Sequence, residues 1–79
     1  LIFNAVFPQE RTGDYDCCMT EEFMRAFAFN AGITLHIKNE YGCNSHHIIE
    51  SIFKAVAHAM KAACKTNNKD VLSTKGMLD

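Results

Sequence analysis

The first seven residues alternate. Leu1, Phe3, Ala5 and Phe7 fall on one side of an extended chain, and Ile2, Asn4 and Val6 on the other. A period of two predicts a strand over residues 1–7. Pro8 has no N–H to give a ladder and ends it. Residues 9–16 are polar around Gly13 and predict a turn or a short edge segment, with Arg11 as a surface charge. A helical period follows. Thr20 is placed to cap it, and Glu21 and Glu22 stand in the first turn, where the helix dipole favours acids. Phe23, Phe27 and Ala31, with Met24 and Ala28, form an apolar stripe that reads as core. The predicted helix covers residues 20–30, and Gly32 stops it.

Residues 33–39 alternate strictly, with Ile33, Leu35 and Ile37 on one face and Thr34, His36 and Lys38 on the other. This predicts a half-buried strand with His36 on its polar side. Tyr41, Gly42 and Cys43 turn the chain into a second helix over residues 46–64, capped by Asn44 or Ser45. Ile49, Phe53, Val56 and Met60 recur at helical spacing and are expected to pack on the sheet. Residues 65–70 predict a polar loop. The order is β-α-β-α without an internal repeat, an α+β layer with two helices on one face of a small sheet. Two strands do not make a stable sheet alone. Either the polar segment adds strand, or another chain or chain half completes it.

Composition narrows the class. At 79 residues the chain is one small domain or part of one. A hydrophobic share of 48% with 22% charged residues argues for a globular protein and against long disorder. A formal charge of −1 gives no nucleic-acid footprint. No apolar run approaches the length needed to span a membrane. Cys17, Cys18, Cys43 and Cys64 include no C-x-x-C pair, and predict buried or half-buried thiols in a reducing cytoplasm. The chain enters a strand directly, without methionine, which predicts that it begins mid-fold.

The chemistry concentrates at Asn44, Ser45, His46, His47, Ile48, Ile49 and Glu50. On a helix, His46, Glu50 and Lys54 form one row, and His47 lies about 100° round from His46. Two adjacent histidines do not readily aim both rings at one ion, but they can serve two sites with Glu50 between them. Imidazole and carboxylate suit Zn, Mn, Fe or Ni better than Ca or Mg. Three ligands make an incomplete shell, so a metal site here must borrow from elsewhere. The alternative is a solvated first turn with both histidines and Glu50 facing water. Ser73, Thr74, Lys75 and Gly76 suit a phosphate or another anion, or are simply a polar tail.

These runs resemble imidazoleglycerol-phosphate dehydratase. The likeness is carried by Thr34-Leu35-His36-Ile37, by Gly42 through Glu50, by Phe53-Lys54-Ala55, by Thr20-Glu21-Glu22-Phe23 leading into Ala26 through Ala31, and by Ser73 through Leu78. The resemblance implies that the chain is the second, C-terminal half of a domain with two similar halves, each with its own His-His-x-x-Glu motif. It implies dehydration of imidazole glycerol phosphate to imidazole acetol phosphate in histidine biosynthesis, with two manganese ions per site and sites formed between subunits of a twenty-four-subunit shell. By motif, His46, His47 and Glu50 would be manganese ligands, with Glu50 also near the acid–base chemistry. Glu22 stands where many members have a ligand histidine and others glutamate. Lys54, Ser73 and Lys75 would hold the substrate phosphate. Leu72 replaces a usual proline, and a phosphate-binding arginine would fall just before Leu1. Such a reaction needs stabilised charge, a held phosphate and a carboxylate that moves protons. This half is expected to be inactive alone. The competing expectation is a non-catalytic half-domain that self-associates and binds divalent metal weakly.

Overall fold

A computed structural model describes the backbone of residues 1–75 and the side chains of residues 1–65. In chain order the elements are β1 (Ile2–Asn4), β2 (Arg11–Thr12), β3 (Tyr15–Asp16), α1 (Met19–Ala31), β4 (His36–Lys38) and α2 (Ser45–Lys75). The result is the expected α+β unit of two helices and a small sheet.

β1 and β4 pair in parallel, with Ile2 opposite His36, Phe3 opposite Ile37 and Asn4 opposite Lys38. The alternation holds on both strands. Leu1, Phe3, Ala5, Phe7 and Leu35 turn toward the core and Ile37 is buried in it, while Ile2, Val6, His36 and Lys38 are exposed. The strands are shorter than residues 1–7 and 33–39 because only three residues of each find a ladder partner. The Ile2 N–H donates to the Leu35 carbonyl, and the Asn39 N–H to the Asn4 carbonyl, which close the pair at its ends. The polar segment does form strand, but it pairs with itself. β2 and β3 make a separate antiparallel hairpin around Gly13 and add nothing to the β1–β4 pair.

The helix starts differ from expectation in one case. Thr20 does not cap α1. The helix begins at Met19, its N-cap position is Cys18 without a side-chain cap bond, and Thr20 is buried. Its hydroxyl is within 2.8 Å of the Tyr15 hydroxyl, so it ties the hairpin to the helix instead. Gly32 ends α1 as predicted, at φ 67°, with its N–H on the Ala28 and Phe29 carbonyls. At α2 the open choice of cap resolves to Asn44, whose Oδ1 accepts the His47 N–H at 3.1 Å. No proline or glycine interrupts Ser45 through Lys75, and the expected loop over residues 65–70 lies inside α2.

Burial follows narrower stripes than the apolar pattern predicts. α1 buries Thr20, Met24 and Ala28; α2 buries Ile48 and Ile52, with Val56 packed beside them. Phe23 (52% exposed), Ala31, Ile49 and Phe53 lie outside this core. A sheet of two strands can cover only one i, i+4, i+8 row of each helix. Phe23 and Phe53 meet each other instead, ring centres 5.3 Å apart, bridging the helices beside the core. Met24, Ile37, Ile48 and Ile52 form the buried cluster. Each such side chain contributes about 1.5–3 kcal/mol on burial. Of the four cysteines, all free thiols, only Cys17 is buried; Cys18, Cys43 and Cys64 are exposed, against the expectation of at least half-burial.

The core row can be checked by paired substitutions. Ile52→Ala should cost about 2–5 kcal/mol, the range for truncating a buried isoleucine. Ile49→Ala, one step round the helix, should cost less than half as much. Urea unfolding followed by circular dichroism reads both, and equal losses would contradict this register.

Candidate metal and substrate site

The first turn of α2 sets the geometry. Because successive helical residues are about 100° apart, neighbouring side chains diverge. The His46 and His47 rings are 5.9 Å apart between centres and inclined at 61°. Each borders a different cleft. His46 faces one lined by Thr12, Tyr15, Ile49 and Phe53. His47 faces another, walled by Tyr41, Gly42, Asn44, Ile48 and Ser51. Gly42 makes the second wall possible. Its φ is 147°, and a Cβ there would lie 2.9 Å from Ile48 Cγ1.

Glu50 lies one turn after His46, exposed, with its Oε2 3.7 Å from the Lys54 ammonium. Both partners are more than half exposed, so the pair is worth at most about 1 kcal/mol. Glu22 sits on α1, in a cleft lined by Tyr15, Met19, Phe23 and Phe53. That cleft and the one at His46 share Tyr15 and Phe53 as walls. The two helices thus place Glu22 and His46 in neighbouring clefts that share an aromatic wall. His47 and Glu22 line different clefts. Among the described residues no group of three His, Cys, Asp or Glu side chains could hold a metal ion. The side chains of Ser73 and Lys75 lie outside the described residues.

Sequence reasoning missed Tyr15, whose hydroxyl pairs with Thr20 and whose ring lines two clefts. It also missed Gln9, which bonds to Ser45 across 36 positions. Nothing in local spacing marks either residue. Phe53 was assigned to the core by its helical period, and its contact with Phe23 instead makes it a wall.

Beside Tyr15, Asp16 and Cys18 perturb one another. The Asp16 carboxyl is held below its usual value, first by a hydrogen bond from the Cys18 thiol, then by the Cys18 N–H at 3.1 Å, with the Arg11 charge adding to this. The Cys18 thiol is pushed up, first by that bond to Asp16, then by a slight loss of hydration and by the charges of Asp16 and Glu22.

Fold and helix start together define a small α+β unit with histidines and a carboxylate at the head of its long helix. Comparison with known proteins narrows this class. Residues 1–60 match the family described as imidazoleglycerol-phosphate dehydratase. A protein of that name from Brucella suis is 52% identical over 81 residues, covering 99% of this chain and 40% of its own length. Those from Lactococcus lactis subsp. cremoris and Clostridium novyi are 54% and 50% identical, each over 99% of this chain and 41% of their own. The chain belongs to the imidazoleglycerol-phosphate dehydratase family. It spans about two fifths of the length of the curated relatives it matches. No solved structure matches it. Among the described residues no helix is long and apolar enough to cross a membrane.

The Asp16–Cys18 pair makes a prediction. A depressed carboxyl stabilises the fold at pH above its unfolded value, and the contribution is lost as pH falls through the folded value. Asp16→Asn should therefore flatten the acid limb of stability against pH. It should also speed iodoacetamide labelling of Cys18 near neutral pH, by freeing thiolate. Buried Cys17 stays unlabelled, so mass spectrometry of the peptide holding both thiols reads one added group. An unchanged rate would contradict the pairing.

Proposed function

We propose that this chain supplies one half, the second and C-terminal one, of a dehydratase site that removes water from imidazole glycerol phosphate to give imidazole acetol phosphate in histidine biosynthesis. The observation that carries the proposal is the divergence of His46 and His47 into separate clefts at one helix start, with Glu50 a turn behind. Family membership supports it.

His46, His47 and Glu50, with Glu22 in the neighbouring cleft that shares Tyr15 and Phe53, are the residues that would hold manganese, two ions per site. The donor chemistry fits, since imidazole and carboxylate together suit Mn. The number does not suffice within the described residues, so the remaining donors come from the missing half or another subunit of a homo-oligomer, in the family a twenty-four-subunit shell. Bound manganese supplies charge stabilisation to the reaction.

The chain's own residues do the rest. Lys54 holds the substrate phosphate together with Ser73 and Lys75. To do so it leaves Glu50, at a cost of at most about 1 kcal/mol because the pair is exposed. Release of Lys54 also frees the Glu50 carboxylate to take or deliver a proton. Holding the phosphate away from the histidines orients the reacting carbons. Such a site works in the cytoplasm.

A second reading has an observation of its own. Phe23, Met19, Val6 and Phe29 are exposed apolar side chains, which suit self-association of a non-catalytic half-domain. One assay separates the two. The purified chain is given manganese and imidazole glycerol phosphate, alone and mixed with a separately made companion covering the rest of a relative's length. No turnover alone and turnover in the mixture are expected. In the mixture His47→Ala should lower kcat about 100-fold or more, because losing even an outer partner of a metal ligand costs about 10–100-fold. Turnover by the chain alone would refute its incompleteness, and none in the mixture would leave the non-catalytic reading.

A further inference from the structure

The loop after β1 is bonded to the head of α2 through Gln9. The Gln9 N–H donates to Ser45 Oγ at 2.8 Å, and that hydroxyl donates back to the Gln9 carbonyl at 2.9 Å. The Gln9 side chain completes the exchange. Its Oε1 accepts the Ser45 N–H at 2.7 Å, and its Nε2 donates to the Cys43 carbonyl at 3.1 Å. Ser45 is 1% exposed, so water does not compete for its hydroxyl. Four bonds from one residue thus bracket the chain just before His46.

The physical need is plain. The first N–H groups of a helix have no partner within it, and helix ends fray. Asn44 caps the His47 N–H and its carbonyl accepts the Ile48 N–H at 3.0 Å. Gln9 satisfies the Ser45 N–H from outside the helix. The turn carrying both histidines is therefore held locally by Asn44 and over long range by Gln9.

We propose that Gln9 is a positioning residue. By clamping Ser45 it keeps the first turn of α2 wound, and so holds the backbone of His46 and His47 at the divergence that sends their rings into separate clefts. Only the identity of what the rings hold rests on the dehydratase reading; the clamp does not. Gln9 touches neither ring cleft, since it lines neither of them.

The test uses the full 79-residue chain and its Gln9→Ala and Gln9→Glu variants. Amide exchange by NMR is the first readout. Gln9→Ala should speed exchange of the His47 and Ile48 N–H groups about fivefold, the effect of one lost hydrogen bond of about 1 kcal/mol, and leave Met24 and Ile37 unchanged. Gln9→Glu keeps the acceptor for the Ser45 N–H and should restore most of the protection. Unchanged exchange at His47 and Ile48, equal acceleration at Met24 and Ile37, or failure of Gln9→Glu to rescue would each overturn the clamp. Manganese is the second readout, as paramagnetic broadening of the His46 and His47 ring protons. Its midpoint should rise about fivefold in Gln9→Ala. No broadening in the unsubstituted chain would overturn metal binding by this chain alone, while the exchange data still decide the clamp.

Discussion

The structure depends on the fit of two helical rows onto two strands. Met24 from α1, Ile37 from β4, and Ile48 and Ile52 from α2 share one buried cluster, with alternate residues of β1 beneath it. With a sheet this narrow, only residues spaced by four along each helix reach it. That constraint explains the buried Thr20 and the exposed Phe23. It also leaves Phe23 and Phe53 to meet beside the core, where with Tyr15 they form walls rather than filling.

The same constraint orients the candidate site. Once Ile48 and Ile52 face the sheet, the rotation of α2 is determined. His46 must then fall toward the hairpin and His47 toward the turn holding Gly42. Glu50 and Lys54 follow on the exposed flank as an ion pair. A helix head that serves two clefts is thus a consequence of core packing plus 100° per residue.

Much of this was legible beforehand. The alternation of Leu1, Phe3, Ala5 and Phe7, and of Leu35 and Ile37, gave both strand faces correctly. Gly32 marked the end of α1, and the row His46, Glu50 and Lys54 was readable from spacing. Failures came where a choice depended on distant partners. Thr20 carries every local mark of an N-cap, yet the Tyr15 hydroxyl and the core claim it. The apolar arc of α2 includes both Ile48–Ile52 and Ile49–Phe53, and periodicity alone does not say which row meets the sheet.

The sequence by itself determined the order of the two longer strands and the two helices, the polar and apolar faces of those strands and the placing of two imidazoles and a carboxylate within two helical turns, because these follow from local periods of two and 3.6. Only the tertiary structure decided which row of each helix is buried, that Tyr15 and Phe53 line both the Glu22 and the His46 cleft, and that Gln9 grips Ser45 across 36 positions. Those outcomes depend on which surfaces the short sheet can cover and on bonds between segments far apart in the chain, and neither leaves a local mark.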